Sequence, residues 1–255
     1  MKPCGNNPVR SAPNRLPRQR RSNAKVGSQT LRHGLVLQLN KRWAQNFQLL
    51  GSYTFGKVID DVPDHLVVNP GADDFAQLSD STNPRADRGP GANDQRHRLV
   101  VSGIWLPVAH ENWPCVARAI LGGWELSGIF TAQSGHPYSG LVSSDLNNDG
   151  NPATDRIPGL GRDTFYLPAS FSLDPRVTRN VPLHERMRLQ LIWEAFNVLN
   201  HANVTGVRTT QYALSSCGIA AVPCLVSQNA GLSAFGTPTL TSGPRIMQLS
   251  AKFVF

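Results

Sequence analysis

Apolar and polar residues alternate along seven segments of the chain, and this period of two is typical of β-strands with one apolar face. The segments are 33–43, 47–59, 97–108, 122–134, 171–181, 186–199 and 245–255. In the last segment the alternate positions hold Met247, Leu249, Ala251, Phe253 and Phe255. A tilted strand crosses a bilayer in about 9–11 residues, so segments of this length suit an outer-membrane barrel as well as a soluble sheet.

The connections between these segments alternate between short and long. The short ones are 44–46, 109–121 and 182–185, and the long ones are 60–96, 135–170 and 200–244. In an up-and-down meander, alternate connections lie at the same edge, so all three long loops are predicted at one edge. Outer-membrane barrels have short periplasmic turns and long extracellular loops. The pattern therefore predicts an all-β, antiparallel up-and-down meander that is part of a transmembrane outer-membrane β-barrel, with Phe255 at the periplasmic side.

Composition and charge agree with many strands joined by loops. Only 16% of the residues are charged, and the chain has 22 Gly and 19 Pro. The net charge of +8 comes from residues 1–59, which hold eleven Lys and Arg and no acid. Their basic run at 15–21 lacks the interleaved aromatics of a nucleic-acid-binding arm. We therefore predict that residues 1–30 form a disordered, solvated segment with no nucleic-acid partner.

No apolar segment precedes this basic run, so the N-terminal residues carry no recognisable secretory signal. We expect either a cytosolic protein or a fragment of an exported one. The chain also contains no window of about 18 apolar residues that would predict a transmembrane helix.

Residues 145–151, DLNNDGN, match the beginning of a calcium-binding loop, D-x-[DN]-x-[DN]-G. Oxygen ligands at alternate positions would come from Asp145, Asn147 and Asp149, and Asp155 is a candidate fourth ligand. The twelfth position is Arg156 instead of the bidentate Glu. An Asx- and Gly-rich surface turn is therefore the alternative interpretation.

The cysteines indicate at most one local disulfide. Cys217 and Cys224 flank a short loop, where a bridge would form in an oxidising compartment. Cys4 and Cys115 have no evident partner. The sequence has no Cys-x-x-Cys and no His-x-x-x-His pair, so we expect no structural zinc and no cofactor.

Two polar clusters lie in the first long loop, Asp87-Arg88 and the run DQRHR at 94–98. Acids, bases and a His together suggest a hydrolase site as one hypothesis. The chain has no Gly-x-Ser-x-Gly motif and no phosphate-binding Gly-rich loop. We therefore interpret both clusters as a solvated loop rim, and we expect no enzymatic activity.

The two faces of the predicted strands differ in chemistry. Glu125, Arg188 and Glu194 fall on polar faces, which line the lumen in a barrel and contact water in a soluble sheet. A stripe of six aromatic residues suits interfacial girdles, with a soluble aromatic core as the alternative; they are Trp43, Tyr53, Phe55, Trp105, Trp124 and Trp193.

Several stretches of the chain are similar to known barrel segments. They are 34–42 (GLVLQLNKR), 51–61 (GSYTFGKVIDD), 93–100 (NDQRHRLV), 123–130 (GWELSGIF) with 135–138 (GHPY), and 194–201 (EAFNVLNH). They resemble the barrel of TonB-dependent receptors, above all the Oar-like receptors with a carboxypeptidase-regulatory-like N-terminal domain. The resemblance runs from about His33 to Phe255, and residues 194–201 with the terminal Phe are its most specific part.

The resemblance implies a barrel of about 22 strands around an internal plug, energised by the inner-membrane TonB complex. It also implies that Phe255 belongs to a C-terminal signal read by the barrel-assembly machinery. A signal peptide, a TonB box, a plug and the first two-thirds of the barrel have no counterpart here. We therefore expect residues 31–255 to be the C-terminal portion of a receptor barrel, in a truncated product or fragment.

Two further functions compete with this hypothesis of outer-membrane nutrient uptake. The first is a soluble secreted β-sandwich that binds carbohydrate or matrix, with calcium at the 145–155 loop. The second is the hydrolase described above. Outer-membrane lipid is a partner in the uptake hypothesis alone.

Overall fold

The computed structural model describes residues 29–61, 84–108, 112, 114–146, 155–184, 187–217, 222–227 and 234–255. In these residues helix is limited to α1 (Cys115–Leu121) and a 3-10 turn at Pro84–Asp87. The strands are β1 (Thr30–Ala44), β2 (Phe47–Asp60), β3 (Gly89–Pro90), β4 (His97–Trp105), β5 (Trp124–Gln133), β6 (Pro137–Tyr138), β7 (Leu141–Val142), β8 (Phe165–Tyr166), β9 (Ser170–His184), β10 (Met187–Phe196), β11 (Val204–Val207), β12 (Thr210–Cys217), β13 (Val222–Ser227), β14 (Pro238–Thr241) and β15 (Ile246–Val254).

Seven long strands pair in chain order into one antiparallel sheet, β1-β2-β4-β5-β9-β10-β15, and the short β3 pairs with β2. Each alternating segment of the sequence forms one of these seven strands, so the predicted all-β meander is confirmed. The bounds differ by one to three residues at most strand ends, and one predicted connection changes its place. Strand β9 continues through Pro182 to His184, which pairs with Met187, so the predicted turn at 182–185 is shorter than expected.

Cross-strand register separates the side chains into two continuous faces, because paired residues in neighbouring strands point to the same side. One row across the apolar face contains Leu37, Tyr53, Leu99, Ala132 and Phe171. The next row, on the polar face, contains Gln38, Ser52, Val100, Thr131 and Ser172. The predicted alternation of chemistry is thus realised in one sheet. The soluble sandwich hypothesis is wrong, because the seven long strands do not divide into two facing sheets.

Several aromatic residues of the apolar face lie near strand ends, whereas Tyr53 and Trp193 lie in the interior of β2 and β10. Trp105 and Trp124 are close to the short connections, and Phe55 and Phe171 are close to the long loops. Trp43, Phe55 and Trp105 are each 44–48% exposed. This exposure contradicts a soluble aromatic core and agrees with girdles at the two membrane interfaces.

The short connections lie together at one edge of the sheet. Gln45 and Asn46 both have positive φ angles, 53° and 58°, as in the two-residue turns that match strand twist. The connection between β4 and β5 contains α1, which the sequence pattern did not predict. No helix among the described residues is long and apolar enough to cross a membrane.

The long loops lie at the opposite edge and are joined to each other. Strand β7 of the second loop pairs in parallel with β12 of the third, and β6 pairs with β8 within the second. A buried apolar cluster of Tyr138, Leu167 and Val207 packs against Phe165 and Phe235. The Phe165 and Phe235 rings meet edge to face at 4.9 Å. In the described residues, buried apolar packing is therefore concentrated in the loops.

The sheet has two open edges. Among the described residues, β1 pairs only with β2, and β15 pairs only with β10. Every residue of β1 is exposed, and Leu249 of β15 is 82% exposed. Long unpaired edges are rare in folded proteins, and full closure of a barrel removes them.

Candidate functional site

Buried charged side chains gather where the first two long loops meet. We call the following residues the loop cluster: Asp60, Asp87, Asp94, Arg156, Arg162 and Asp163. Asp60 ends β2, and the other residues lie in the loops before β4 and before β9. Asp and Arg are rarely buried unless they are paired, so this concentration of buried charges is an unusual feature of the loops.

Arg162 is the central cation of the loop cluster and is almost fully buried. It forms an ion pair with Asp60, and its Nη2 also donates to the carbonyl oxygens of Asp60 at 3.2 Å and Pro90 at 3.3 Å. Its Nε lies 4.0 Å from Asp163 Oδ2. Burial lowers the pKa of Arg162, and the charge of Asp163 opposes that shift. Gly89 permits this approach, since a Cβ there would lie 2.6 Å from the Arg162 carbonyl oxygen.

A second ion pair joins the same two loops. Arg156 Nη1 donates to Asp87 Oδ1 at 2.5 Å, and the two side chains are 9% and 1% exposed. The backbone of Arg156 also bridges to Leu141, which leads into β7. The pair therefore connects the 3-10 turn of the first loop to the strand pairing of the second.

Three donors converge on the fully buried carboxylate of Asp94. Oδ1 accepts from the Val58 backbone N–H at 2.7 Å, and Oδ2 accepts from Arg96 Nε at 2.7 Å and the Tyr166 hydroxyl at 3.1 Å. The hydrogen bond to Asp94 raises the pKa of Arg96. Burial, and then the charge of Asp94, raises the pKa of Tyr166. This carboxylate fixes the end of β2 to both loops.

The loop cluster corrects one interpretation of the sequence. Asp87 and Asp94 were expected on a solvated rim, but they are 1% and 0% exposed. Their partners Arg156 and Tyr166 lie 69 and 72 residues away along the chain. Sequence reasoning missed them because no local spacing relates these pairs. The absence of enzymatic activity stays a prediction.

The calcium prediction falls partly outside the described residues, because Asn147 and Asp149 are not among them. Asp155 is buried, and its Oδ2 accepts from the Leu146 backbone N–H at 3.0 Å. The described residues contain no group of three His, Cys, Asp or Glu side chains placed to hold a metal ion. Calcium binding at Asp145 and its neighbours stays a prediction.

The structure describes the side chains of two of the four cysteines. Cys224 is disulfide-bonded, whereas Cys115 is a free and exposed thiol. The side chain of Cys217, its predicted partner, lies outside the described residues, as does Cys4. A disulfide at Cys224 agrees with the oxidising compartment that a local bridge requires.

The polar face of the sheet forms a groove of about 390 Å³ with charged and amide side chains along it. Arg176 Nη1 lies 3.1 Å from Glu194 Oε1, and Gln248 also hydrogen-bonds to Glu194. Register places Glu125 opposite Thr178 on this face, and Arg188 lies on it in the same strand as Glu194. The predicted placement of Glu125, Arg188 and Glu194 on the polar face is confirmed.

We predict that the long-loop edge loses stability in acid because of His136. Its Nδ1 donates to the Ala92 carbonyl oxygen at 3.3 Å, and its Nε2 accepts from Gln95 Nε2 at 3.4 Å, which requires a neutral ring. Burial lowers the pKa of His136 from 6.5, so the unfolded chain binds the proton more readily. Stability is therefore highest above about pH 6.5 and falls as the pH drops below that value.

The urea midpoint of unfolding at about pH 7.5 and about pH 5.5 measures this effect. His136→Asn should make the midpoint less dependent on pH, because Asn keeps polar contacts without titrating. The same pH dependence in the variant and the parent would contradict the assignment to His136.

Gly135 lies where the two ends of the second long loop cross. A Cβ at this position would overlap the carbonyl oxygen of Leu167. We predict that Gly135→Ala lowers the free energy of unfolding by about 1–3 kcal/mol, because the backbone must move apart. Gly161→Ala is the matched control, since its Cβ would meet only Thr164 Cγ2 at 3.7 Å. Urea titration of both variants should show a loss for Gly135→Ala alone.

A family model described as an outer membrane beta barrel domain matches residues 5–159 and 151–248. The first match alone spans more than half of the 255 residues. No curated protein and no solved structure matches the chain. The match agrees with the antiparallel sheet, its exposed apolar face and the sorted loop lengths. The chain therefore belongs to the outer membrane beta barrel domain family, and its place is the outer membrane.

Proposed function

We propose that the chain is the C-terminal barrel segment of an Oar-like TonB-dependent receptor that takes up a nutrient across the outer membrane. Family membership supports the membrane setting, and the similarity of residues 194–201 supports the receptor class. The solute would be a siderophore, a carbohydrate, a peptide or a similar nutrient. It would bind to the long loops and the polar face, without catalysis and without a cofactor.

The observation that carries this proposal is the open sheet of seven long strands in the described residues. Seven strands pair in order, so the outer strands β1 and β15 run in the same direction. Antiparallel closure then requires an odd number of further strands between them. Bacterial single-chain barrels have an even number of strands, and plugged outer-membrane transporters have about 22. A larger receptor barrel meets this requirement.

The proposal names three partners. Outer-membrane lipid would contact the apolar face, where several aromatic residues lie near both edges. The barrel-assembly machinery would read the C-terminal signal that ends at Phe255. The TonB complex would act on the full-length receptor through segments outside residues 31–255. Nucleic acid is not among the partners.

Growth of the source bacterium tests the uptake function. Deletion of the gene should abolish growth on one scarce nutrient, and deletion of tonB should abolish growth on the same nutrient. Normal growth of the gene deletion on every nutrient that requires tonB would contradict the proposal. Restoration of growth by a plasmid copy of the gene is the control.

Assembly of the chain tests the proposed signal at Phe255. We predict that Phe255→Ala slows insertion into vesicles that contain the barrel-assembly machinery, since the terminal aromatic is lost. Protease protection measures the inserted fraction. Val254→Ala, which also shortens an apolar side chain at the same end, is the matched control. Equal insertion of the two variants would exclude a special role for Phe255.

A further inference from the structure

A cavity of about 210 Å³ lies between the second and third long loops and the loop-side ends of β5 and β9. The strands contribute residues of their polar face, including Thr131 and Gln133 from β5 and Ser170 from β9. The third loop contributes Thr205 and Ser242. The cavity is therefore placed where a solute from outside would pass between the loops and the lumen of the proposed receptor.

The side chains of these five residues, in the part of the chain that the structure describes, have no hydrogen-bond partner within the protein. Other polar side chains at the cavity are already occupied. Asn203 accepts from the Phe171 backbone N–H at 2.7 Å and donates to its carbonyl oxygen at 2.8 Å. Ser172 donates to Asp174 at 2.7 Å. Four hydroxyl groups and one amide thus remain available to a ligand.

The cavity presents no ionised side chain. Among the described residues that line it there is no Asp, Glu, Lys or Arg. Within that described lining His136 is the one titratable residue, and the contacts to Ala92 and Gln95 hold its ring in the neutral form. A ligand with a net charge would lose its hydration here without gaining an opposite charge, which is costly.

An apolar wall completes the cavity. Leu167 and Val204 lie on its lining. Binding sites commonly combine an apolar surface with a few placed polar groups. A sugar ring has matching chemistry, with hydroxyl groups around its rim and C–H groups on its faces.

We propose that this cavity binds one ring of an uncharged, polyhydroxylated solute, that is, a sugar. The inference rests on the proposed uptake function and specifies the class of its solute. The volume is below the roughly 300–1,000 Å³ of pockets for drug-sized ligands, so a single ring is accommodated and a bulky siderophore is not. Thr131, Gln133 and Ser170 supply hydrogen bonds, and Leu167 and Val204 supply the apolar surface.

Saturation-transfer NMR on outer-membrane vesicles of the source bacterium tests the inference. Glucose and maltose are the probes, glucuronate is the charged comparator, and vesicles from the gene deletion are the blank. We expect signals for glucose or maltose that vesicles from the gene deletion do not show. Glucuronate should bind at least about tenfold more weakly, a factor that corresponds to about 1.4 kcal/mol.

Two double variants decide whether this cavity is responsible. Thr131→Val with Gln133→Leu removes two of the available polar groups and should weaken sugar binding by about tenfold or more. Gln38→Leu with Thr54→Val makes the same two changes on β1 and β2, away from the cavity, and should leave binding unchanged. An immunoblot checks the amount assembled. Ser170→Ala, a smaller change, replaces the cavity variant if that variant does not assemble.

Three outcomes would overturn the inference: no sugar signal with assembled protein, equal loss in both double variants, or glucuronate binding as tight as glucose. The growth experiment separates these failures from a failure of the uptake function. Loss of tonB-dependent growth on a charged nutrient alone would leave uptake intact and overturn the sugar assignment. Sugar binding without any growth defect would overturn uptake and leave the cavity assignment intact.

Discussion

Arg162→Met should release the first two long loops from each other and from the end of β2. Arg162 is 1% exposed, and its removal takes the ion-pair partner from the buried carboxylate of Asp60. Breaking a buried ion pair in this way costs about 3–5 kcal/mol. We expect amide hydrogen exchange in residues 84–96 and 155–166 to accelerate by roughly two to four orders of magnitude.

Arg88→Met is the matched control for this prediction. Arg88 is 49% exposed, and its Nε lies 3.8 Å from Asp61 Oδ1, so it also forms an ion pair with an acid at the end of β2. Exposed pairs contribute about 0–1 kcal/mol, and hydrogen exchange should change little. Similar acceleration in the two variants would show that burial of Arg162 is not what stabilises the loops.

Val101→Arg should prevent stable insertion of the sheet into the outer membrane. Val101 lies at the centre of β4 on the apolar face, opposite Gly51 and Phe130. An arginine on the lipid face at the bilayer midplane costs about 2–4 kcal/mol. Urea-dependent unfolding from lipid vesicles, followed by circular dichroism of the strands, measures this loss.

Val100→Arg provides a control that differs by one position along the same strand. Val100 lies on the polar face, opposite Ser52 and Thr131, where a charge meets water in the lumen. Its substitution should cost much less than that of Val101. An equal cost at the two positions, or a larger one at Val100, would contradict the assignment of the two faces.

The sequence by itself determined the strands and the two faces. Segments 47–59 and 97–108 became β2 and β4 because a period of two is decided within each segment, and antiparallel pairing of chain neighbours needs only a short connection. The long loops share an edge for an equally local reason, since each strand reverses the direction of the one before it. These relations involve residues that are close along the chain, so the pattern contained them.

The helix α1 and the exact length of β9 were not predictable to the same degree. Residues 115–121 form a single helical segment inside a connection, too short for a periodic signal. Pro182 indicated a turn, but it pairs with Arg188 within β9. Local composition is a weak guide where tertiary pairing decides between strand and turn.

Only the tertiary structure decided which charges are buried and where a solute can bind. Arg162 meets Asp60 across 102 residues, and the cavity takes residues from β5, β9 and the third long loop. No spacing in the sequence relates these positions, because they become neighbours only when the loops pack against one another. The alternation of apolar and polar residues therefore specified a membrane-facing sheet, whereas loop packing created the buried ion pairs and the uncharged cavity beside them.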